Sequence, residues 1–372
     1  MDAHLAVPYV DLAREHAALR TPLLEAVGRV LDHGGFILGP EVAAFEERFA
    51  RLSGARFAIS VANGTDALCL ALRGLGIGPG DEVITAPNSF LASASSIALV
   101  GATPVFVDVA ADGNLDPERI EAALSTRSRA LLPVHLTGRP AAMERIQEIA
   151  ARHQLDVIED AAQAVGAERG GRRVGSFGDA ACFSLHPLKN LAACGDGGVI
   201  TTQDAALADW LVRARNHGLR SRDECALWSV NSRLDTLHAA MLLVKLEHLE
   251  TWTKARREHA AFYHDALADV VEVPREAPGE TCVYHTYVIQ SDDRDALRAR
   301  LAQRGVETRI HYPIPIHRQP AAAGLGLPEG AFPVAERQAG RILSLPVFPT
   351  LTSTEREHVA RCVRDFHAAG RR

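Results

Sequence analysis

Between residues 56 and 202 the chain alternates short apolar runs with stretches of helical periodicity, and nothing else in it narrows the fold so far. The runs are RFAISVAN (56–63), DEVITAP (81–87), TPVFVDV (103–109), SRALLPVHL (128–136), LDVIEDA (155–161), DAACFSL (179–185) and GGVITT (197–202). Several are apolar almost throughout, the pattern of strands buried on both faces. Helical patterns lie between the earlier runs, near 65–76, 89–100, 116–125 and 140–153. This order predicts βαβ crossovers and a mostly parallel sheet, hence the α/β class.

The flanks read differently. Residues 14–32 place Leu24, Val27 and Leu31 at helical spacing, with Pro22 near a first turn. Residues 236–268 form one long or broken helix. Beyond it, YHTYVIQS reads as a strand, DRDALRARLAQRG as a helix ending at Gly305, and VETRIHYP as a further strand. The Pro- and Gly-rich stretch 312–333 reads as loop, followed by the helix AERQAGRIL. A chain of 372 residues has room for two or three domains. The boundary is expected near 245, with a large domain over 1–245 and a smaller α+β domain over 246–372.

Charge and composition exclude some partners. Forty basic against 46 acidic residues leave a net charge of −6, which argues against a general nucleic-acid or anionic-membrane surface. No run approaches the ~20 apolar residues of a membrane helix. The N-terminal stretch MDAHLAVPYVDLAREH lacks the pattern of a secretory signal. The six cysteines are scattered without a C-x-x-C pair, which suits neither a disulfide framework nor a zinc site and fits the cytoplasm.

Three constellations could carry chemistry. Asn63-Gly64-Thr65 ends a strand and opens a helix, where exposed N–H groups bind anions and glycine lets a phosphate approach; a plain capped turn has the same residues. The nearby Gly74-Leu-Gly76-Ile-Gly78-Pro-Gly80 follows a helix and precedes a strand, the reverse of a dinucleotide fingerprint, and reads as a helix stop. The second constellation, Glu159-Asp160-Ala161-Ala162-Gln163, closes an apolar strand at the edge where open α/β sheets bind ligands. A carboxylate there could pair with a protonated ring nitrogen, or serve merely as a turn residue. The third runs from Ser184 through His186 to Lys189 and Asn190, then into Gly195-Asp196-Gly197-Gly198. A partly desolvated lysine can form a Schiff base, whereas a solvated one is ordinary surface. His186 is equally open between a structural role and a substrate contact.

Taken in order, these segments resemble the DegT-type sugar aminotransferase family from about residue 8 to 350. The resemblance implies the fold type I architecture of pyridoxal 5′-phosphate enzymes: a large domain with a mostly parallel seven-stranded sheet and a smaller C-terminal α+β domain. It implies that Lys189 carries the cofactor and that Gly64, Thr65 and Ser184 hold its phosphate. Phe90, from TAPNSF, would stack on the pyridine ring, with Asp160 on its nitrogen and Gln163 beside it. The segment from Ser229 to Asp235 resembles one donated to the neighbouring subunit, so that Asn231 reaches the partner's cofactor phosphate and a homodimer completes each site. The run after Lys189 places Gly195 six positions on, which resembles the branch acting on nucleotide-linked 3-keto sugars; many 4-keto members are one residue shorter here. His186, His311, Tyr312 and, more distantly, His317 then correspond to positions around the sugar and diphosphate. Position 186 departs from that branch, whose close members more often carry tyrosine, and LRSRDECALW after Gly218 is not its usual continuation. The expected reaction moves an amino group from L-glutamate to the keto sugar. A 4-keto sugar, a keto-cyclitol or a binding protein without catalysis are the alternatives. Dehydratases of the family commonly replace the lysine with histidine, which Lys189 disfavours.

Overall fold

The computed structural model describes residues 5–370; residues 1–4, part of the stretch read for a secretory signal, lie outside it. Each of the seven apolar runs forms a strand. They are β1 (Phe57–Val61), β2 (Glu82–Thr85), β3 (Thr103–Phe106), β4 (Ser128–Leu132), β5 (Asp156–Asp160), β6 (Ala180–Ser184) and β7 (Gly198–Thr202). They build one seven-stranded sheet in the order β1-β7-β6-β5-β4-β2-β3. From β3 to β6 all pairings are parallel, and only β7 is reversed, running antiparallel to β6 and β1.

Helices cover both faces, because successive strand residues point to opposite sides. Two helices precede the sheet, α1 (Leu12–Ala17) and α2 (Arg20–His33), and α3 (Pro40–Ser53) leads into it. α4 (Gly64–Gly74), α5 (Ala92–Leu99), α6 (Met143–His153) and α7 (Ala205–Ala214) follow within it. Val83, Ile158, Cys182 and Ile200 pack with Leu68 and Leu72 of α4, Ile97 of α5 and Leu211 of α7. On the other face Phe183 and Val199 meet Phe45 and Phe49 of α3, while Ile84 and Val157 meet Ile146 and Ile149 of α6.

The 236–268 stretch is two helices, α8 (Thr236–Leu246) and α9 (Leu249–Leu267), interrupted at Glu247 and His248. Behind α9 come β8 (Tyr287–Gln290), α10 (Arg294–Gln303), α11 (Pro333–Arg341), β9 (Ile342–Leu345) and α12 (Ser353–Gly370). β8 and β9 pair antiparallel, and Tyr287, Ile289, Leu343 and Leu345 form a core with Tyr263 of α9, Leu297 of α10 and Val363 of α12. Val7 joins this core from the other end of the chain and bridges to Val306.

Two local expectations are corrected, and a third is made more specific. The helical pattern at 116–125 yields only two 3₁₀ turns, Pro117–Arg119 and Glu121–Ala123, since Leu124 returns to extended geometry and Ile120 alone is buried. VETRIHYP makes no ladder, only isolated bridges at Val306 and Arg309, and Pro313 at its end has no N–H to continue one. In α2 the stripe facing this chain's core is Leu23, Ala26 and Val30; Leu24 and Leu31 are 59% and 61% exposed.

Candidate active site

Since every strand but β7 points one way, the carboxyl ends of β1, β2, β4, β5 and β6 share an edge of the sheet. Open α/β sheets place their ligands there. Asp160, last residue of β5, is 5% exposed. Burial pushes its carboxyl up from the usual carboxylate range; hydrogen bonds from Ser93 Oγ (2.6 Å) and Ala162 N (3.2 Å), and the charges of Lys189 and His135, pull it back. Its hydrogen-bond donors are a hydroxyl and an amide, so a cationic donor set beside it would offset the remaining burial penalty.

Lys189 closes a turn just past β6, its amide donating to His186 O at 2.8 Å. Burial lowers its ammonium to about 8, with Asp160 acting in the opposite direction. The turn is pinned from the C-terminal domain: Asn190 Nδ2 donates to Val283 O at 3.0 Å, and Asn190 Oδ1 lies 3.3 Å from His285 Nδ1. Burial, then the charge of Lys189, holds the His285 imidazole well below its ordinary range.

A second cluster forms at the start of α4. Asn63 caps the helix, its Oδ1 accepting from Asp66 N at 2.8 Å. Gly64 lies against the end of β6 so closely that a Cβ would meet Ser184 Cβ at 2.9 Å. The half-buried Thr65 and the buried Ser184 thus flank a helix N-terminus backed by glycine, which suits a phosphate.

Between this edge and the C-terminal domain, Gln163 Oε1 accepts from Thr137 N at 2.7 Å and Gln163 Nε2 donates to Tyr312 OH at 3.4 Å. The Tyr312 ring lies 5.7 Å from Phe90, which is 54% exposed, and edge-on to His311 at 5.4 Å. Burial, then the charge of Asp160, pushes the Tyr312 phenol up to about 12. The His311 imidazole, with Nδ1 2.9 Å from Ser344 Oγ, is lowered to about 4 by burial and then by Lys189. A cavity of about 460 Å³ opens here, lined among others by Asn88, Thr137, His311, Tyr312, Tyr284 and Gln338.

The remaining sequence candidates sit apart from this group in different ways. His186 is exposed, and its Nδ1 accepts from Leu188 N at 3.3 Å. Asn231 is exposed and bridges to Asn216, while the adjacent Ser232 donates to Asp66 Oδ2 at 2.6 Å and so ties the segment to α4. His317 is not at the site: it is 4% exposed, packs between Phe106 and Phe332, and holds Glu336 at 3.0 Å. Three residues escaped the sequence reading: Ser93, Thr137 and His285. Ser93 could have been flagged as a serine on the apolar side of a helix, whereas nothing in the sequence near His285 points to Lys189. Among the described residues no group of three or more His, Cys, Asp and Glu side chains could hold a metal ion.

Comparison with known proteins gives a consistent picture. The model of the DegT/DnrJ/EryC1/StrS aminotransferase family matches residues 18–364. A Geobacillus stearothermophilus protein named a pleiotropic regulatory protein is 44% identical, covering 97% of this chain and 98% of its own. A Streptomyces venezuelae dTDP-3-amino-3,4,6-trideoxy-alpha-D-glucose transaminase is 44% identical over 97% of this chain and 96% of its own. The crystal structure of S. venezuelae DesV in complex with a ketimine intermediate superposes with a TM-score of 0.95 at 44% identity, covering 97% of this chain and 98% of that one.

Proposed function

The chain belongs to the DegT/DnrJ/EryC1/StrS aminotransferase family, and from that premise we propose that it is a pyridoxal-phosphate-dependent transaminase of a nucleotide-linked 3-keto sugar, with L-glutamate as amino donor. The observation that carries this reading is the buried Asp160 set within electrostatic reach of a lysine whose ammonium burial has lowered to about 8. A binding protein without catalysis has no need of the whole set of Asp160, Gln163, Ser184 and Lys189.

The residues present fit the cofactor. Gly64, Thr65 and Ser184 would hold its phosphate, Asp160 its ring nitrogen, Phe90 and Gln163 its ring, and Lys189 its aldehyde carbon. When bound, pyridoxal phosphate supplies a carbon that accepts the amino group and a cationic ring that withdraws electrons from it. Asp160 would keep that ring protonated by offering a carboxylate to its nitrogen. Lys189 Nζ would take a proton from the α-carbon of the amino donor and deliver it to the carbon two bonds away, across the amino nitrogen; on the sugar the same amine would work in reverse. Such transfers by a positioned group contribute typically ~10²–10⁴-fold. Gln163, its amide held by Thr137 and Tyr312, would be fixed in place beside the ring. Neutral His311 and Tyr312 offer hydrogen bonds to sugar hydroxyls, and His186 stands at the exposed rim.

Other parts of the reading rest on the same premise. A homodimer is supported by apolar surface that this chain does not cover: Leu24, Leu31, Ile37 (50% exposed) and Trp228 (90%). Asn231, beside Trp228 in sequence, would complete the partner's phosphate site. A domain boundary near 245 is supported by the break between α8 and α9. A cytoplasmic location is supported by six cysteines that are all free. Among the described residues no helix is long and apolar enough to cross a membrane.

The test is an absorbance spectrum of the purified protein, first with L-glutamate and then with a keto nucleotide sugar. The yellow band of bound cofactor should move into the near ultraviolet with glutamate and return with the 3-keto substrate. A protein that takes up no pyridoxal phosphate would overturn the reading; return only with a 4-keto sugar would overturn the 3-keto assignment.

A further inference from the structure

Helix α5 has the sequence ASASSIAL, and its Ser93 and Ser96 are fully buried. A hydroxyl enclosed without water must find a partner within the protein. Ser96 does what a serine inside a helix usually does and bonds to a carbonyl one turn back, Ser93 O at 3.2 Å. Ser93 does not. Its Oγ reaches out of the helix and donates to Asp160 Oδ2 at 2.6 Å, the range of a hydroxyl bound to an ionised carboxylate.

A serine carries one hydroxyl proton, so Ser93 must accept whatever else it bonds. The partner is Ser89, 3% exposed, whose Oγ donates to Ser93 Oγ at 2.9 Å. The alternative acceptor for Ser89, Phe90 O, is farther at 3.3 Å. Two hydroxyls therefore point in series at one carboxylate oxygen, from the turn that also carries Phe90. The other oxygen takes Ala162 N, so the carboxylate plane is fixed from two sides. The ionisable groups sharing its electrostatic surroundings are Lys189, His135, Tyr312 and Cys182, and none of them supplies a hydrogen bond to it.

We propose that Ser93 is a positioning residue for the cofactor ring: through a hydroxyl chain begun at Ser89 it orients Asp160 and keeps it ionised where the ring nitrogen binds. This rests on the assignment of Asp160 made above. Replacing Ser93 by alanine removes little more than one oxygen from a packed helix, so the loss falls on the carboxylate and not on the fold.

The experiment titrates full-length protein, freed of cofactor, with pyridoxamine phosphate, which cannot link covalently to Lys189. Ser93→Ala should bind it roughly ten-fold or more weakly, as expected when a charge-assisted hydrogen bond is lost, while melting like the parent protein. Ser93→Thr, which keeps the hydroxyl, should restore most of the affinity; equal weakness in the two variants overturns a role for the hydroxyl. Unchanged affinity in Ser93→Ala, with Asp160→Ala binding weakly, overturns the inference and leaves the assignment of Asp160 standing. Unchanged affinity in Asp160→Ala overturns both. If Ser93→Ala melts as a damaged protein, Ser89→Ala carries the test: weaker binding supports the chain of hydroxyls, and unaltered binding overturns it.

Discussion

At Lys189 two influences oppose each other. Enclosure strips water from the ammonium and favours the neutral amine, while the charge of Asp160 favours the cation; enclosure prevails and the group titrates at about 8. The sign of the resulting pH dependence follows directly. Only the unprotonated amine accepts a proton, so once the enzyme holds the amino group and Lys189 is free, its reaction with a keto acceptor should be slow below pH 8 and level off above it. Stopped-flow absorbance at a series of pH values checks this. Lys189→Ala should remove the pH-dependent limb and lower turnover by roughly 10³-fold or more. These residues were legible because each ends or follows an apolar strand, where a lone Asp or Lys is conspicuous. Ser93 and His285 were not, because they meet the site from other elements: Ser93 sits in a run of small residues where a serine on the apolar side of a helix is the one signal, and His285 in what reads only as a strand. His317 shows the converse. Its place in the sequence suggested the sugar pocket, yet its ring fills a niche between Phe106 and Phe332.

Among the elements, the turn after β4 couples the sheet edge to the C-terminal domain. Thr137 donates to Gln163, Val283 N donates to Gly138 O at 3.0 Å, and Gly138 itself has φ +91°. A Cβ at Gly138 would lie 2.8 Å from Val283 Cγ2 and 3.0 Å from Gln163 O, with backbone on two sides that cannot give way. Gly138→Ala should therefore destabilise the protein by about 2 kcal/mol, from crowding and from the left-handed φ together. Denaturant unfolding reads the loss, and a weakened hold on Gln163 should lower kcat as well. Element boundaries show where sequence reasoning stops. The seven strands were legible because long apolar runs have one way to be buried. The 116–125 pattern was not, because its single buried residue, Ile120, cannot hold a helix of that length.

Over the whole molecule the unanswered surface is the apolar one. The spacing of Leu24, Val27 and Leu31 is helical, but periodicity does not say which chain supplies the facing surface, and here Leu23, Ala26 and Val30 take the inner side. A shared-site dimer makes a sharp expectation. Lys189→Ala and Asn231→Ala subunits, each poorly active alone, should regain activity when mixed and allowed to exchange. Every hybrid then has one site with an intact lysine and an intact Asn231, so random exchange should return about a quarter of the parental rate. No recovery, with exchange verified by mass, would place Asn231 in its own subunit's affairs.

The reversal of β7 has a consequence for how such an enzyme diversifies. Because β6 and β7 are neighbours both in the chain and in the sheet, the segment carrying Lys189 is a hairpin connection anchored at both ends, with Leu185 N on Gly197 O at 2.8 Å. The entropy of closing such a connection changes only logarithmically with its length, so gaining or losing one residue alters stability by about a tenth of a kcal/mol or less. The same residue shifts the amine's attachment point by up to about 3.3 Å, further than one sugar ring carbon lies from the next. Loop length is thus a nearly free variable for the fold and a coarse adjustment of where the amine stands.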